Sequence, residues 1–247
     1  MALSAREVEL GFWHADISGV KAGGRWIEHD QEPTAESDRE HLAVLCTQLG
    51  NAKVQKRAVA AWCDALPHMR HVRRIWFKSR VPQAVFDAAC RIPDLEGLWV
   101  KWSGAAIKSL AALKHCPQLR HLHIGSSTQV TDLAPVARLR ALEVLELEAF
   151  TRADDLSPLT RLPKLEELGF FGSIWTTVKV RSVEPFARIK TLRRLDIANL
   201  RAAEPGSFRQ LARLRRLEVL TGASWWPEED VRYVLERLPL LKRPAAP

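Results

Sequence analysis

"VTDLAPVARLRALEVLELEAF" (130–150) and "ADDLSPLTRLPKLEELGFFG" (153–172) are two copies of one phrase. Each holds the spacing LxxLxL, as Leu142-Leu145-Leu147 and Leu165-Leu168-Phe170. On an extended backbone successive side chains alternate faces, so the second and third of these residues point inward together. Ahead of them Pro135 and Pro158 hold the linking helix to about one turn, because proline lacks the N–H and clashes with the preceding turn. A single strand-plus-turn unit cannot bury its apolar face, whereas stacked copies can.

The same spacing runs along the chain. It reads Val72-Ile75-Phe77, Leu95-Leu98-Val100, Leu119-Leu122-Ile124, Leu142-Leu145-Leu147, Leu165-Leu168-Phe170 and Leu192-Leu195-Ile197, with a worn copy at Leu217-Leu220. The middle residues are spaced by 23, 24, 23, 23, 27 and 25 positions, a period that marks a stacked repeat. The links "PQAVFDAACRI" (82–92) and "AAIKSLAALKHC" (105–116) have helical spacing and length. The longest link, "GSIWTTVKVRSVEPF" (172–186), carries a protruding loop with Trp175.

Over about residues 66 to 222 the pattern resembles the leucine-rich repeat, and the two quoted copies resemble its short bacterial internalin-like subclass. The resemblance implies an α/β solenoid: a curved parallel sheet with helices and helical turns on the convex side, and helical caps at both ends. The chain then divides into an N-terminal region and cap (1–66), the repeats (67–222) and a C-terminal helical cap and tail (223–247). One departure concerns the asparagine that the family places three positions after the last strand leucine. Arg80, Ser103, Ser127, Phe150, Ser173 and Leu200 stand there, which predicts irregular turns and local distortion.

At the N-terminal end "SDRE" (37–40) has the form of a capping box ahead of "HLAVLCTQL". This predicts a helix over 38–49 ending at Gly50, with a strand at "LAVLC" as the alternative, and a second helix over 53–66. "KAGGRW" (21–26) is a turn signal between "VELGFWHA" and "RWIEH", suggesting a hairpin. At the other end "WWPEEDVRYVLERLPLL" reads as a helix with Pro227 at its first position and acids in its first turn. Trp225 and Trp226 are placed as a plug on the last repeat.

The chain has 247 residues and a net charge of +8, with arginine the commoner cation. That balance permits an acidic protein, nucleic acid or an anionic membrane as partner and selects none. No stretch is apolar for the ~18 residues a membrane helix needs, and the start does not read as a secretion signal. Cys46, Cys63, Cys90 and Cys116 are widely spaced, without a CxxC pair. They read as small buried hydrophobes in a reducing cytoplasm.

The strand positions between the leucines define a surface. In repeats of this kind it is the concave face. Between the second and third apolar residues lie Trp76, Trp99, His123, Glu146, Gly169 and Asp196. Just before the second lie Arg74, Gly97, His121, Val144, Glu167 and Arg194; just after the third lie Lys78, Lys101, Gly125, Glu148, Phe171 and Ala198. Arg73, Glu96, Arg120, Glu143, Glu166 and Arg193 form a further column suited to lateral ion pairs. The face is segregated, with Arg74, Trp76, Lys78, Trp99 and Lys101 at one end and Glu146, Glu148 and Glu167 in the middle. Tryptophan beside cations makes an adhesive patch, unless the N-terminal cap folds over the two rings and turns them into core. Trp102, near the strand end, is placed in the turn.

His121 and His123 lie two apart on one strand, beside Glu146. An HxH pair alone is a weak metal signal, and neither metal nor cofactor is assigned. There is no Gly-rich phosphate loop, nucleophile elbow or HExxH motif, so the chain is expected not to be an enzyme. The sequence points to a cytoplasmic protein-interaction module, of adaptor, inhibitor or neutraliser type, with no membrane partner. Its contact set would be Arg74, Trp76, Lys78, Trp99, Lys101, His121, His123, Glu146, Glu148, Glu167 and Phe171. Nucleic acid is the alternative partner, through "RHVRR" (70–74), "RQLARLRR" (209–216) and the tryptophans.

Overall fold

The computed structural model describes residues 20–22, 25–27 and 29–241. Its centre is a nine-stranded sheet in which every neighbouring pair is parallel. With two flanking pairs included, the strands in chain order are β1 (Val20–Ala22), β2 (Arg25–Ile27), β3 (His29–Asp30), β4 (His41–Val44), β5 (Arg74–Arg80), β6 (Gly97–Trp102), β7 (His121–Ile124), β8 (Val144–Glu148), β9 (Glu167–Phe171), β10 (Val178–Val180), β11 (Arg194–Asp196), β12 (Leu200–Ala202) and β13 (Val219–Thr221). The main sheet runs β3-β4-β5-β6-β7-β8-β9-β11-β13, so consecutive repeats are spatial neighbours. β1 and β2 form an antiparallel pair, Val20 opposite Ile27, with β2 in the second stretch of the expected hairpin. "VELGFWHA" (8–15) lies outside the described residues.

The LxxLxL residues occupy the predicted places. Ile75, Leu98, Leu122, Leu145, Leu168 and Leu195 align across the sheet and are buried in one continuous core. Helical segments supply the other wall: α1 (Ala52–Ala65), α2 (Gln83–Ala89), α3 (Glu184–Ala187) and α4 (Glu228–Leu235). Val136–Arg138 and Ser157–Arg161 are single 3-10 turns, as Pro135 and Pro158 required. Phe150, Phe170 and Phe186 run through this core, with ring centroids 6.5 and 5.7 Å apart along the row.

Three expectations need correction. The helix over 38–49 is absent: His41–Val44 is a strand, with Leu42 opposite Ile75 and Val44 opposite Phe77. A short apolar run fits either element, and pairing with the next strand decides it. Ser37 caps no helix over 38–49; its hydroxyl donates to the Asp30 carboxylate at 2.7 Å. The helix over 105–116 is reduced to a 3-10 turn, Ala111–His115. Gln83 intervenes there, its side-chain oxygen accepting from the backbone N–H of Lys108 and Ser109. Those donors need no helical partner.

The turns are also more regular than the missing asparagines implied. Ser126, Ala149 and Asn199 each stand two positions after the third apolar residue of their repeat, and each has positive φ. A recurrent left-handed residue thus follows the strand in three repeats. Buried serines replace part of the asparagine ladder: the Ser103 and Ser127 hydroxyls lie 2.6 Å apart, and Ser79 accepts from the Thr47 N–H. Phe150 and Leu200, which cannot hydrogen-bond, are simply packed into the core.

Ile174 and Trp175 are 86% and 89% exposed, at the tip of the expected protruding loop. At the C-terminal end α4 packs on the turn Ser207–Arg213. Trp226 packs against Phe208 in a tilted contact with 4.8 Å between ring centroids. Trp225 does not share that role: it is half exposed beneath the Arg201 guanidinium. Cys46, Cys90 and Cys116 are buried and Cys63 is half-buried. Burial pushes the Cys46 thiol up to about 11. Among the described residues, no helix is long and apolar enough to cross a membrane.

Candidate functional site

The candidate site is the sheet face turned away from the core, and its register follows the sequence columns. Trp76, Trp99, His123, Glu146, Gly169 and Asp196 stand opposite one another in that order, with Ala43 before them and Thr221 after. Arg74, Gly97, His121, Val144, Glu167 and Arg194 form the neighbouring column. The third column starts irregularly. Phe77 pairs with Val100 but Arg80 with Trp102, so a bulge in β5 displaces Lys78 from Lys101.

The lateral ion pairs are partly as expected. Arg120 reaches Glu143 at 2.8 Å and Arg193 reaches Glu218 at 2.7 Å. At the N-terminal end Arg74, rather than Arg73, spans its neighbours, bonding Glu40 at 2.8 Å and Glu96 at 3.2 Å. This removes much of the cationic character expected of that end.

The tryptophans are not an open patch. Trp76 and Trp99 are buried although they point away from the core, as are His121 and His123. The two rings are therefore not displayed as an adhesive patch. An indole carries well over ~100 Å² of apolar surface, and leaving two wet side by side is unfavourable. Trp99 instead stacks on His123, with centroids 4.3 Å apart and planes 19° apart, and more distantly on His121 at 5.8 Å. Trp76 lies 6.1 Å from the His41 ring. Conversely Trp102, expected in the turn, is partly exposed at the end of β6.

His123 also joins this aromatic end to the acidic middle. Its Nδ1 lies 2.7 Å from Glu146 Oε2; a carboxylate only accepts, so Nδ1–H donates. Burial alone would raise the Glu146 pKa. The His123 hydrogen bond, helped by the charges of His123, His121 and Arg194, outweighs it and holds the carboxyl below its usual range. Glu148 goes the other way: burial, and then Glu146, raise its pKa against the pull of His123. Its carboxylate lies over Gly125, 3.0 Å from where a Cβ would stand. The Phe171 ring folds back over Gly169 in the same manner, so it is buried rather than displayed. The two glycines give these side chains room to lie flat. The sequence columns show the glycines but not what fills the space above them.

Glu146→Gln is expected to lose about 1–3 kcal/mol, because a charge-assisted bond in a nearly dry site is replaced by a neutral one. The pH dependence has a definite sign. A carboxyl with a depressed folded pKa stabilises above its unfolded value near 4.5, and that stability is lost as pH falls through the lower folded pKa. Acid unfolding of the wild type should therefore contain a contribution that Glu146→Gln lacks, read from unfolding midpoints between neutral and acid pH.

Of the predicted contact residues, Glu146, Glu148 and Glu167 gather on the C-terminal half of the face with partial exposure, and Lys101, also partly exposed, lies two strands away on β6. Arg74 and Lys78 sit at the other end, and Trp76, Trp99, His121, His123 and Phe171 are buried. Sequence columns did not single out Arg194, whose charge bears on Glu146. Among the described residues no group of three or more His, Cys, Asp and Glu side chains is placed to hold a metal ion.

No protein-family model matches the sequence, and no curated protein resembles it closely enough to count as a match. Solved structures do match the fold. Internalin C2 from Listeria monocytogenes str. 4b F2365 superposes with a TM-score of 0.52 at 17% identity, over 73% of this chain and 69% of that one. A chain of the mouse RP105/MD-1 complex gives 0.52 at 16% identity, over 82% of this chain and 37% of its own length. Both are leucine-rich repeat proteins, and at these identities the likeness shows the fold: this chain is folded as an internalin-like leucine-rich repeat.

Proposed function

We propose that the chain is a non-catalytic interaction module that binds a basic surface of a protein partner through the C-terminal half of its sheet face. The observation that carries this reading is the charge distribution there. Glu146, Glu148 and Glu167 lie on adjacent strands β8 and β9, each partly exposed. The frame beneath them is a buried repeat core, so little conformational entropy is lost on association. Glu146 is held by His123, and Glu148 and Glu167 stand beside it, each partly exposed. The leucine-rich repeat fold supports a protein-binding role in general terms. Four unbridged thiols, with Cys90 and Cys116 close enough to interact, suit a reducing cytoplasm. The activity proposed is binding itself, as an adaptor, inhibitor or neutraliser.

The test is affinity capture from the source lysate with nuclease present, comparing the wild-type chain with Glu148→Gln/Glu167→Gln. One protein retained by the wild type and weakened roughly tenfold or more with the double variant is the expected outcome. Equal retention by both baits would reject this half of the face as the interface.

A further inference from the structure

A second surface lies on the helical side. The residue just before the buried one that closes each link is Arg91, His115, Arg138, Arg161, Arg188, Arg213 and finally Arg237. The residues that follow them, from Ile92 to Leu238, are all buried, while the six arginines and the histidine are exposed. Arg140, Lys190 and Arg215 stand two places further on in three of the repeats, also exposed. The turns that carry these residues are neighbours in space: Val136–Arg138 packs on Ser157–Arg161, α3 packs on that turn and on Ser207–Arg213, and α4 packs on Ser207–Arg213. Arg140 and Arg215 reach along the stack, donating to the Arg161 and Arg237 carbonyls at 2.7 and 2.6 Å.

A cation at the end of each helical turn complements the backbone dipole, which accounts for some positive charge here. It does not account for one register held through the repeats with a second cation two places on, since like charges repel along such a row. That repulsion is visible at Lys190, whose pKa is lowered by burial and then by Arg213. One gap in the row is filled from within. Glu184 Oε1 lies 2.7 Å from Arg188 and 3.9 Å from Arg213, a carboxylate between successive guanidiniums. Among the described residues no ion pair within 4 Å joins Arg138 or Arg161 to a carboxylate, although the Asp155 carboxylate feels the Arg161 charge.

We propose that this arginine column is a docking track for an acidic segment of a partner protein, with carboxylates seated between successive guanidiniums as Glu184 is. The planar guanidinium suits carboxylates, and the one filled gap holds a carboxylate. Apart from His115 and the half-buried Tyr233, these turns present no aromatic ring on which a base could stack, which sets the track apart from a single-strand nucleic-acid groove. The track is independent of the sheet face and could operate alongside it.

The experiment measures binding of a fluorescent polyglutamate peptide, and of a single-stranded oligonucleotide of equal charge, to the full chain at low salt. The variants are Arg138→Gln/Arg161→Gln/Arg213→Gln and, as a control on the other surface, Glu148→Gln/Glu167→Gln. The expected result is tighter binding of the peptide than of the oligonucleotide, a loss of roughly tenfold in the triple arginine variant, and no loss in the control. Preference for the oligonucleotide, absence of peptide binding, or equal binding by the triple variant would each overturn the proposal. Phenylglyoxal labelling of the wild type needs no variant: the peptide should protect Arg138 and Arg161, and unchanged labelling of both would also overturn it.

Discussion

Phe170→Ala is expected to cost about 3–5 kcal/mol, a large part of the ~5–15 kcal/mol that holds a typical domain folded. Phe170 is fully buried on β9 and its ring lies between Phe150 and Phe186. Truncation leaves a cavity that neither neighbour can fill without leaving its own repeat. In a stack where each unit contacts mainly the next, such a loss weakens one interface more than the rest. The denaturation curve should shift to lower denaturant and flatten, because the two sides of the cavity no longer unfold together. Chemical denaturation followed by far-ultraviolet circular dichroism reads both effects. A parallel shift of less than about 1 kcal/mol would mean that Phe170 does not bridge the repeats.

Gly125→Ala should destabilise by about 2–3 kcal/mol, through crowding rather than a cavity. A Cβ at this position would stand 2.1 Å from the Lys101 carbonyl oxygen and 3.0 Å from the Glu148 carboxylate. The obstacle is mainly backbone, held in place by the Gly125 N–H bonding to the Val100 carbonyl at 2.8 Å and the Ser103 N–H bonding to the Gly125 carbonyl at 3.0 Å. Relief requires β6 and β7 to part at their ends. Gly206→Ala is the contrast: its φ of +70° strains an added side chain, yet nothing lies within 4 Å of the new Cβ. Its cost should stay near ~1 kcal/mol. Thermal unfolding of the two variants in parallel separates close approach from backbone strain.

The sheet face could be written from the sequence because repeat spacing fixes strand register, and register fixes which residues share a face. The column from Trp76 to Asp196 pairs strand by strand as its spacing required. The strand at His41–Val44 was less legible: its apolar run is short, and a capping-box pattern precedes it. Only contact with Ile75 and Phe77 distinguishes strand from helix there. The fate of Trp76 and Trp99 was illegible for a different reason. Spacing says which way a ring points but not whether anything lies over it. The extra residue in β5, which moves Lys78 out of line and buries Ser79, leaves no mark on the spacing of the leucines. Nor does periodicity reveal that Gln83 takes two backbone donors that a helix would otherwise use.

Carboxyl footprinting of the chain, alone and with its captured partner, tests most directly whether the acidic half of the sheet face is the interface. Carbodiimide-driven amidation read by mass spectrometry should fall several-fold at Glu148 and Glu167 when the partner is bound. Carboxylates on the helical side near α4, such as Glu228 and Glu229, should be unchanged. Unaltered labelling of Glu148 and Glu167 in the complex would contradict the sheet-face interface.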